Sequence, residues 1–103
     1  MEPEATDTTT VYTIDQIRDV VVPFARDRGM RWARVFGSYA RGEATGESDI
    51  DVLVDLGNAR ALSLFGLMEH IWESTGKRPD VYDVSELLPG PFRDEVMREA
   101  VAL

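Results

Sequence analysis

The chain has no cysteine, which excludes disulfide cross-links and a thiolate zinc site. It has one histidine, His70, beside Glu69 in a stretch of helical pattern; no Ser-His-Asp hydrolase assembles around it, and it is read as a surface or rim residue. There is no run of about 18 apolar residues, so no membrane-spanning helix is expected. No G-x-x-x-x-G-K-[ST] loop occurs, which removes the P-loop NTPases. Basic residues are scarce: 11 Lys and Arg stand against 19 Asp and Glu, for a net charge of −8. That balance argues against nonspecific nucleic-acid binding, which needs a basic surface, and favours metal ions or a basic protein partner. Residues 1–10 are acidic and Thr-rich without a basic or apolar region. They do not read as a secretory leader, so residues 1–12 are expected to form a disordered tail and the cytoplasm is the default compartment. The remaining residues, 13–103, suit one domain with one modest core.

What the chain does contain is concentrated in one place. Val35-Phe36-Gly37-Ser38-Tyr39-Ala40-Arg41-Gly42 is followed by Asp49-Ile50-Asp51. Gly37 lets the backbone approach an anion closely, because it has no side chain to clash. Ser38 offers a backbone N–H and a hydroxyl to phosphate oxygens. On a strand, Asp49 and Asp51 project from the same face, and two adjacent carboxylates form the oxygen-rich surface that Mg²⁺ requires. Burying like charges together is costly unless a cation neutralises them. The charge pattern switches inside this motif. Residues 26–41 hold five arginines against Asp27, whereas residues 42–55 hold Glu43, Glu47, Asp49, Asp51 and Asp55 with no basic residue. Arg41 is placed to grip a β- or γ-phosphate through paired hydrogen bonds; the alternative is a solvated arginine or a salt bridge to Glu43.

The flanking pattern places these residues on elements. Thr13-Ile14-Asp15-Gln16 reads as a capping box, opening a helix over 13–28 that Gly29 stops and Pro23 is expected to kink. Arg31–Phe36 reads as a first, mostly buried strand, and Ser38–Arg41 begins a short helix. Ile50–Val54 is a second strand, with Ile50, Val52 and Val54 on one face and Asp49, Asp51 and Leu53 on the other. Residues 60–75 read as a helix whose apolar face is traced by Leu62, Phe65, Leu67, Met68, Ile71 and Trp72 and which ends at Gly76. Arg78–Val84 is a short third strand, Ser85–Leu88 a turn, and Pro91–Leu103 a last amphipathic helix with Phe92, Val96 and Val101 as its apolar positions. Trp32, Trp72 and the phenylalanines are most simply core, and Tyr39 either covers a bound nucleotide or packs in the core. Alternating helices and strands define an α/β (α+β) fold, a small sheet covered by helices. Phosphoryl and nucleotidyl transfer commonly need a third carboxylate, to complete a second metal site or take a proton from the attacking hydroxyl. Asp80 is preferred over Asp83, which looks like a cap on the following turn.

Gly37-Ser38-Tyr39-Ala40-Arg41-Gly42 and Ser48-Asp49-Ile50-Asp51-Val52-Leu53-Val54 together resemble the DNA polymerase β-like nucleotidyltransferase superfamily, and within it the minimal nucleotidyltransferase (MNT) proteins. The resemblance covers about residues 13–103. It implies the polymerase β palm core, a small mixed sheet flanked by helices, with two Mg²⁺ held by Asp49, Asp51 and Asp80. It further implies that Gly37 and Ser38 bind the triphosphate and that Arg41 contacts its outer phosphates. The implied reaction moves a nucleoside monophosphate, AMP from ATP, onto an acceptor hydroxyl with release of pyrophosphate. Many MNT proteins are antitoxins paired with a HEPN-domain toxin, some of which they adenylylate on a tyrosine. Larger relatives carry an acceptor-binding domain that this sequence lacks, which points to a protein acceptor. The competing readings are a noncatalytic antitoxin that covers its partner and a small-molecule nucleotidyltransferase.

Overall fold

The computed structural model describes residues 8–103. Thr13 caps the first helix, α1 (Ile14–Arg28): its side chain accepts from the Gln16 amide while Gln16 Oε1 accepts from the Thr13 amide. Two otherwise orphaned donors are thereby satisfied. Gly29 ends α1 with a left-handed φ of 85°, a conformation that costs glycine nothing. Pro23 lies on the exposed side within α1 and does not end it. The other elements follow as β1 (Trp32–Phe36), α2 (Gly37–Arg41), β2 (Ile50–Asp55), α3 (Ser63–Thr75), β3 (Pro79–Asp83), a 3₁₀ turn (Val84–Glu86), α4 (Pro91–Glu99) and β4 (Val101–Ala102).

The strands form one mixed sheet in the order β3-β2-β1-β4, with β2 and β3 parallel and the other pairs antiparallel. Helices cover both faces. Ala33, Val35, Ile50, Val52 and Val54 pack against Ile17 and Val21 of α1 and Leu67 and Ile71 of α3. On the opposite face Phe36 and Leu53 pack with Val96 of α4. This double cover is why three successive residues of β2, Val52-Leu53-Val54, are all buried, where a half-exposed strand would alternate. Each such side chain contributes about 1.5–3 kcal/mol through removal from water.

Three expectations are corrected. The last helix stops at Glu99, and Val101–Ala102 form a strand against β1 instead. Ala100 turns extended at φ −61° and ψ 135°, and Leu103 N donates to Ala33 O at 3.1 Å. The free edge of β1 therefore offers backbone partners that one more helical turn would leave unused. The apolar face of α3 is narrower than its pattern, because Leu62 precedes the helix and is 73% exposed while Phe65 is 67% exposed. Aromatics are likewise not uniformly core. Phe92 is exposed, and Trp32 is half-buried with the Arg34 guanidinium 4.2 Å from its ring.

Of the expected N-terminal tail, residues 1–7 lie outside the described residues, and residues 8–12 run against the domain rather than away from it. Tyr12 packs on the core and donates to Thr75 O at 2.9 Å. A Cβ at Gly46 would meet Thr8 O at 2.0 Å, so the loop joining α2 to β2 touches this segment. Lys77 is buried and donates through Nζ to Gly46 O at 2.6 Å, fixing the same loop from below. No described helix is long and apolar enough to cross a membrane.

Candidate active site

Antiparallel register sets Phe36 opposite Asp51, so the chain leaves β1 for α2 beside the start of β2. Gly37 makes that turn at φ 72°. A Cβ there would lie 2.2 Å from Asp51 Oδ2 and 3.1 Å from its Cγ. Only glycine fits both the left-handed backbone and the carboxylate packed against it. The turn and the first carboxylate are thus in direct contact.

Parallel register then places Asp80 of β3 beside Asp51, with Leu53 beside Tyr82 two pairs further along. Because side chains alternate along a strand, Asp51, Leu53, Asp80 and Tyr82 share the face that α4 covers. Asp49 immediately precedes β2 and is exposed. The electrostatics follow from this crowding. Burial, then the neighbouring Asp80 and Asp49 charges, push the Asp51 carboxyl up from 3.8 to about 6, against a smaller opposing pull from Arg41. Burial and Asp80 also raise the Tyr82 hydroxyl, which donates to Asp80 Oδ2 at 3.3 Å. Asp83 points into a different task. It is buried and accepts from Ser85 N at 3.1 Å and Ser85 Oγ at 2.8 Å, capping the 3₁₀ turn.

Ser38 lies in the first turn of α2, where backbone N–H groups lack intrahelical acceptors. Arg41, three residues on, closes that helix and is drawn to two carboxylates. Its Nε donates to Glu43 Oε1 at 2.8 Å and its Nη1 to Glu99 Oε2 at 3.2 Å, which hold its guanidinium firmly charged. The expected alternative, a pairing with Glu43, is present in this state of the site. Glu99 was not legible as a site residue, since it stands 62 residues from Gly37 and reads as one more charge on an amphipathic helix. Yet Gly37 N donates to Glu99 Oε1 at 2.9 Å. Alongside lies a pocket of about 330 Å³ whose walls include Phe36, Gly37, Arg41, Phe92 and Glu99.

Tyr39 is buried in the core, the second of its two expected places. His70 is far from this chemistry: Nε2 lies 3.0 Å from Val20 O and the ring stacks on Phe24, tying α3 to α1. Among the described residues no three acidic, histidine or cysteine side chains already converge as a metal cage. The donor set nonetheless suits a hard dication. It is all carboxylate oxygen, and Asp51 holds its proton unusually tightly because it is partly buried beside Asp80 and Asp49, with only a smaller opposing pull from Arg41.

This arrangement defines a class. Residues 18–103 match the nucleotidyltransferase domain family, and the chain belongs to it: it is a nucleotidyltransferase with the polymerase β-like fold. Among curated relatives, MJ0435 of Methanocaldococcus jannaschii, which carries a provisional protein adenylyltransferase name, is 36% identical over 85% of this chain and 95% of its own length. Protein adenylyltransferase MntA of Thermococcus cleftensis is 35% identical over 86% of this chain and 94% of its own length. A solved structure provisionally described as a minimal nucleotidyltransferase superposes with a TM-score of 0.75 at 32% identity, covering 91% of this chain and 99% of that one. A chain from a toxin–antitoxin crystal structure with AMP-PNP shares the fold, with a TM-score of 0.69 at 18% identity over 82% of this chain and 70% of that one.

Proposed function

We propose that this chain transfers AMP from ATP to a hydroxyl of a partner protein, a tyrosine of a HEPN-domain toxin, and so acts as its antitoxin. The observation that carries the chemistry is the contact between Gly37 and Asp51, with Asp80 in register beside it. An anion-accepting turn and a set of carboxylates thereby meet at one point. The protein acceptor is supported by relatives named protein adenylyltransferase. The toxin is supported by the MntA name, which the Thermococcus relative shares with a solved toxin–antitoxin pair, MntA-HpeT, and, for the fold, by the toxin–antitoxin neighbour. The acidic surface, with a net charge of −8, suits a basic partner. The reading requires a compartment supplied with ATP, the cytoplasm.

In this mechanism the Gly37 and Ser38 amides orient the triphosphate and Arg41 grips its outer phosphates. The acceptor oxygen forms a bond to the α-phosphorus, the α–β anhydride bond breaks, and pyrophosphate leaves. Asp49, Asp51 and Asp80 would hold two Mg²⁺, which when bound neutralise charge on the phosphates. Asp80, at the edge of the carboxylate set, completes that set or accepts the hydroxyl proton.

The test is transfer of label from α-labelled ATP to a HEPN protein in the presence of Mg²⁺. Label should appear on the partner and vanish with Asp49→Asn, with Asp51→Asn, and with Phe in place of the acceptor tyrosine. Toxin neutralisation that persists in the Asp51→Asn protein without transfer would replace this reading with that of a noncatalytic, covering antitoxin. Label appearing on a small hydroxylated molecule and not on protein would replace the acceptor.

A further inference from the structure

Two of the three residues assigned to phosphate, Gly37 and Arg41, are already engaged by a carboxylate of the chain itself. Glu99 Oε1 accepts from Gly37 N at 2.9 Å, and both Glu99 oxygens lie within 3.2–3.3 Å of Arg41 Nη1. A carboxylate held by one backbone amide and one guanidinium makes the contacts that a phosphate oxygen pair would make. The Glu99 side chain is well shielded, at 16% exposure, and its bond to the Gly37 amide is partly buried, while the Arg41 side chain is 45% exposed. Glu99 is also negative, so it and an incoming triphosphate exclude one another by charge as well as by space. Glutamate has three rotatable side-chain bonds, and the adjoining pocket gives it room to swing aside without moving α4.

We infer that Glu99 is an internal competitor for the phosphate subsite, which nucleotide must displace from Gly37 and Arg41 before it binds productively. The inference rests on the phosphate-binding reading of Gly37 and Arg41 given above. Its consequence is a selection rule. The outer-phosphate subsite opens only to a ligand whose phosphate oxygens replace both Glu99 contacts, so ATP must displace Glu99, whereas AMP, which has no outer phosphates, binds with Glu99 still seated. The apparent affinity for ATP is lowered by the fraction of molecules in which Glu99 is seated.

Equilibrium binding of a nonhydrolysable ATP analogue and of AMP, at fixed Mg²⁺, tests this on the whole chain. Three variants are compared with the unaltered protein. Glu99→Gln keeps an acceptor for the Gly37 amide but removes the charge, Glu99→Ala removes both, and Glu95→Gln removes an equal charge from the same pocket wall. If Glu99 is seated in about nine molecules of ten, Glu99→Ala should bind the ATP analogue about tenfold more tightly. Glu99→Gln should fall between it and the unaltered protein, with AMP binding unchanged and Glu95→Gln within about twofold. Thermal melts establish that each variant is folded, and Glu99→Gln is the better protected because it retains the amide contact. ATP binding that is unchanged or weaker in both Glu99 variants overturns the inference and makes Glu99 a positioning residue for Arg41. An equal gain from Glu95→Gln overturns it too, leaving only a general charge effect. Absence of ATP binding in every folded variant and in the unaltered protein would instead sink the phosphate-binding reading, and the inference with it.

Discussion

Replacing Asp51 by asparagine should abolish transfer and yet make the metal-free protein more stable. The Asp51 carboxyl is raised from 3.8 to about 6 by burial and by Asp80 and Asp49. The folded state therefore holds this proton more tightly than the unfolded chain does. Below about pH 4 both states are protonated and nothing is lost. As pH rises through 4 to 6 the folded state must surrender a proton it prefers to keep, so stability falls, and the full cost is present above about pH 6. A tenfold change in proton affinity is worth about 1.4 kcal/mol, which bounds the cost at about 3 kcal/mol. Asp51 is half-buried, and screening by solvent reduces this to about 1–2 kcal/mol. For a domain of this size that corresponds to a rise of about 5–10 °C in the melting temperature of Asp51→Asn at pH 8 without divalent ions. At pH 4 the two proteins should melt together. Adding Mg²⁺ at a hundredfold excess over its Kd should stabilise the unaltered protein by about 2.7 kcal/mol, and Asp51→Asn by much less. Melting curves across pH with and without Mg²⁺ make the measurement. If Asp51→Asn melts at or below the unaltered protein at pH 8, or if Mg²⁺ stabilises both equally, Asp51 is not the strained carboxylate of a cation site.

Gly37→Ala should cost about 2 kcal/mol in a denaturant titration, from a left-handed φ and a Cβ 2.2 Å from Asp51 Oδ2, and should also abolish nucleotide binding; an unchanged midpoint would contradict the close contact. Asp80→Asn should keep or raise the melting temperature and lose label transfer, whereas Asp83→Ala should lose about 1 kcal/mol of stability with its cap and retain transfer. The opposite pattern would exchange the roles of these two aspartates. His70→Ala should lower stability by about 1–2 kcal/mol, through the Val20 carbonyl contact and the Phe24 stack, with transfer intact; a fall in turnover without a fall in stability would bring His70 into the chemistry.

Structure set by neighbours in sequence was readable from the chain, and structure set by distant elements mostly was not. Thr13 and Gln16 cap α1 across three residues, and Gly29 stops it, so both ends follow from neighbours in sequence. The alternation in Ile50–Val54 likewise sorts Asp51 from Val52 without knowledge of any other strand. The end of α4 depends on something else. Val101 continues an apolar pattern well enough for a helix, but the unpaired edge of β1 lies more than sixty residues earlier in the chain and claims it as a strand. Leu62 and Phe65 show the same limit in side-chain burial. Periodicity marks an apolar stripe, while the width of the stripe that is covered is set by how α1 lies against α3. At the site, Gly37, Ser38 and the Asp-x-Asp pair declare themselves by residue type and spacing. Glu99 has neither signal, and its place on the Gly37 amide exists only once α4 is laid across the sheet.

The register of Phe36 with Asp51, and of Asp51 with Asp80, separates two kinds of change that the linear spacing treats alike. The carboxylates are located by strand pairing, so the ten residues between Ser38 and Asp49 measure the loop and not the site. Extra residues at its exposed positions would lengthen a path across the surface and leave Asp51 beside Gly37. One extra residue within β2 would turn Asp51 into the core and bring Val52 to its place beside Gly37. Variation in length is therefore cheap on one side of Asp49 and ruinous on the other, a boundary that the fold draws between neighbouring residues.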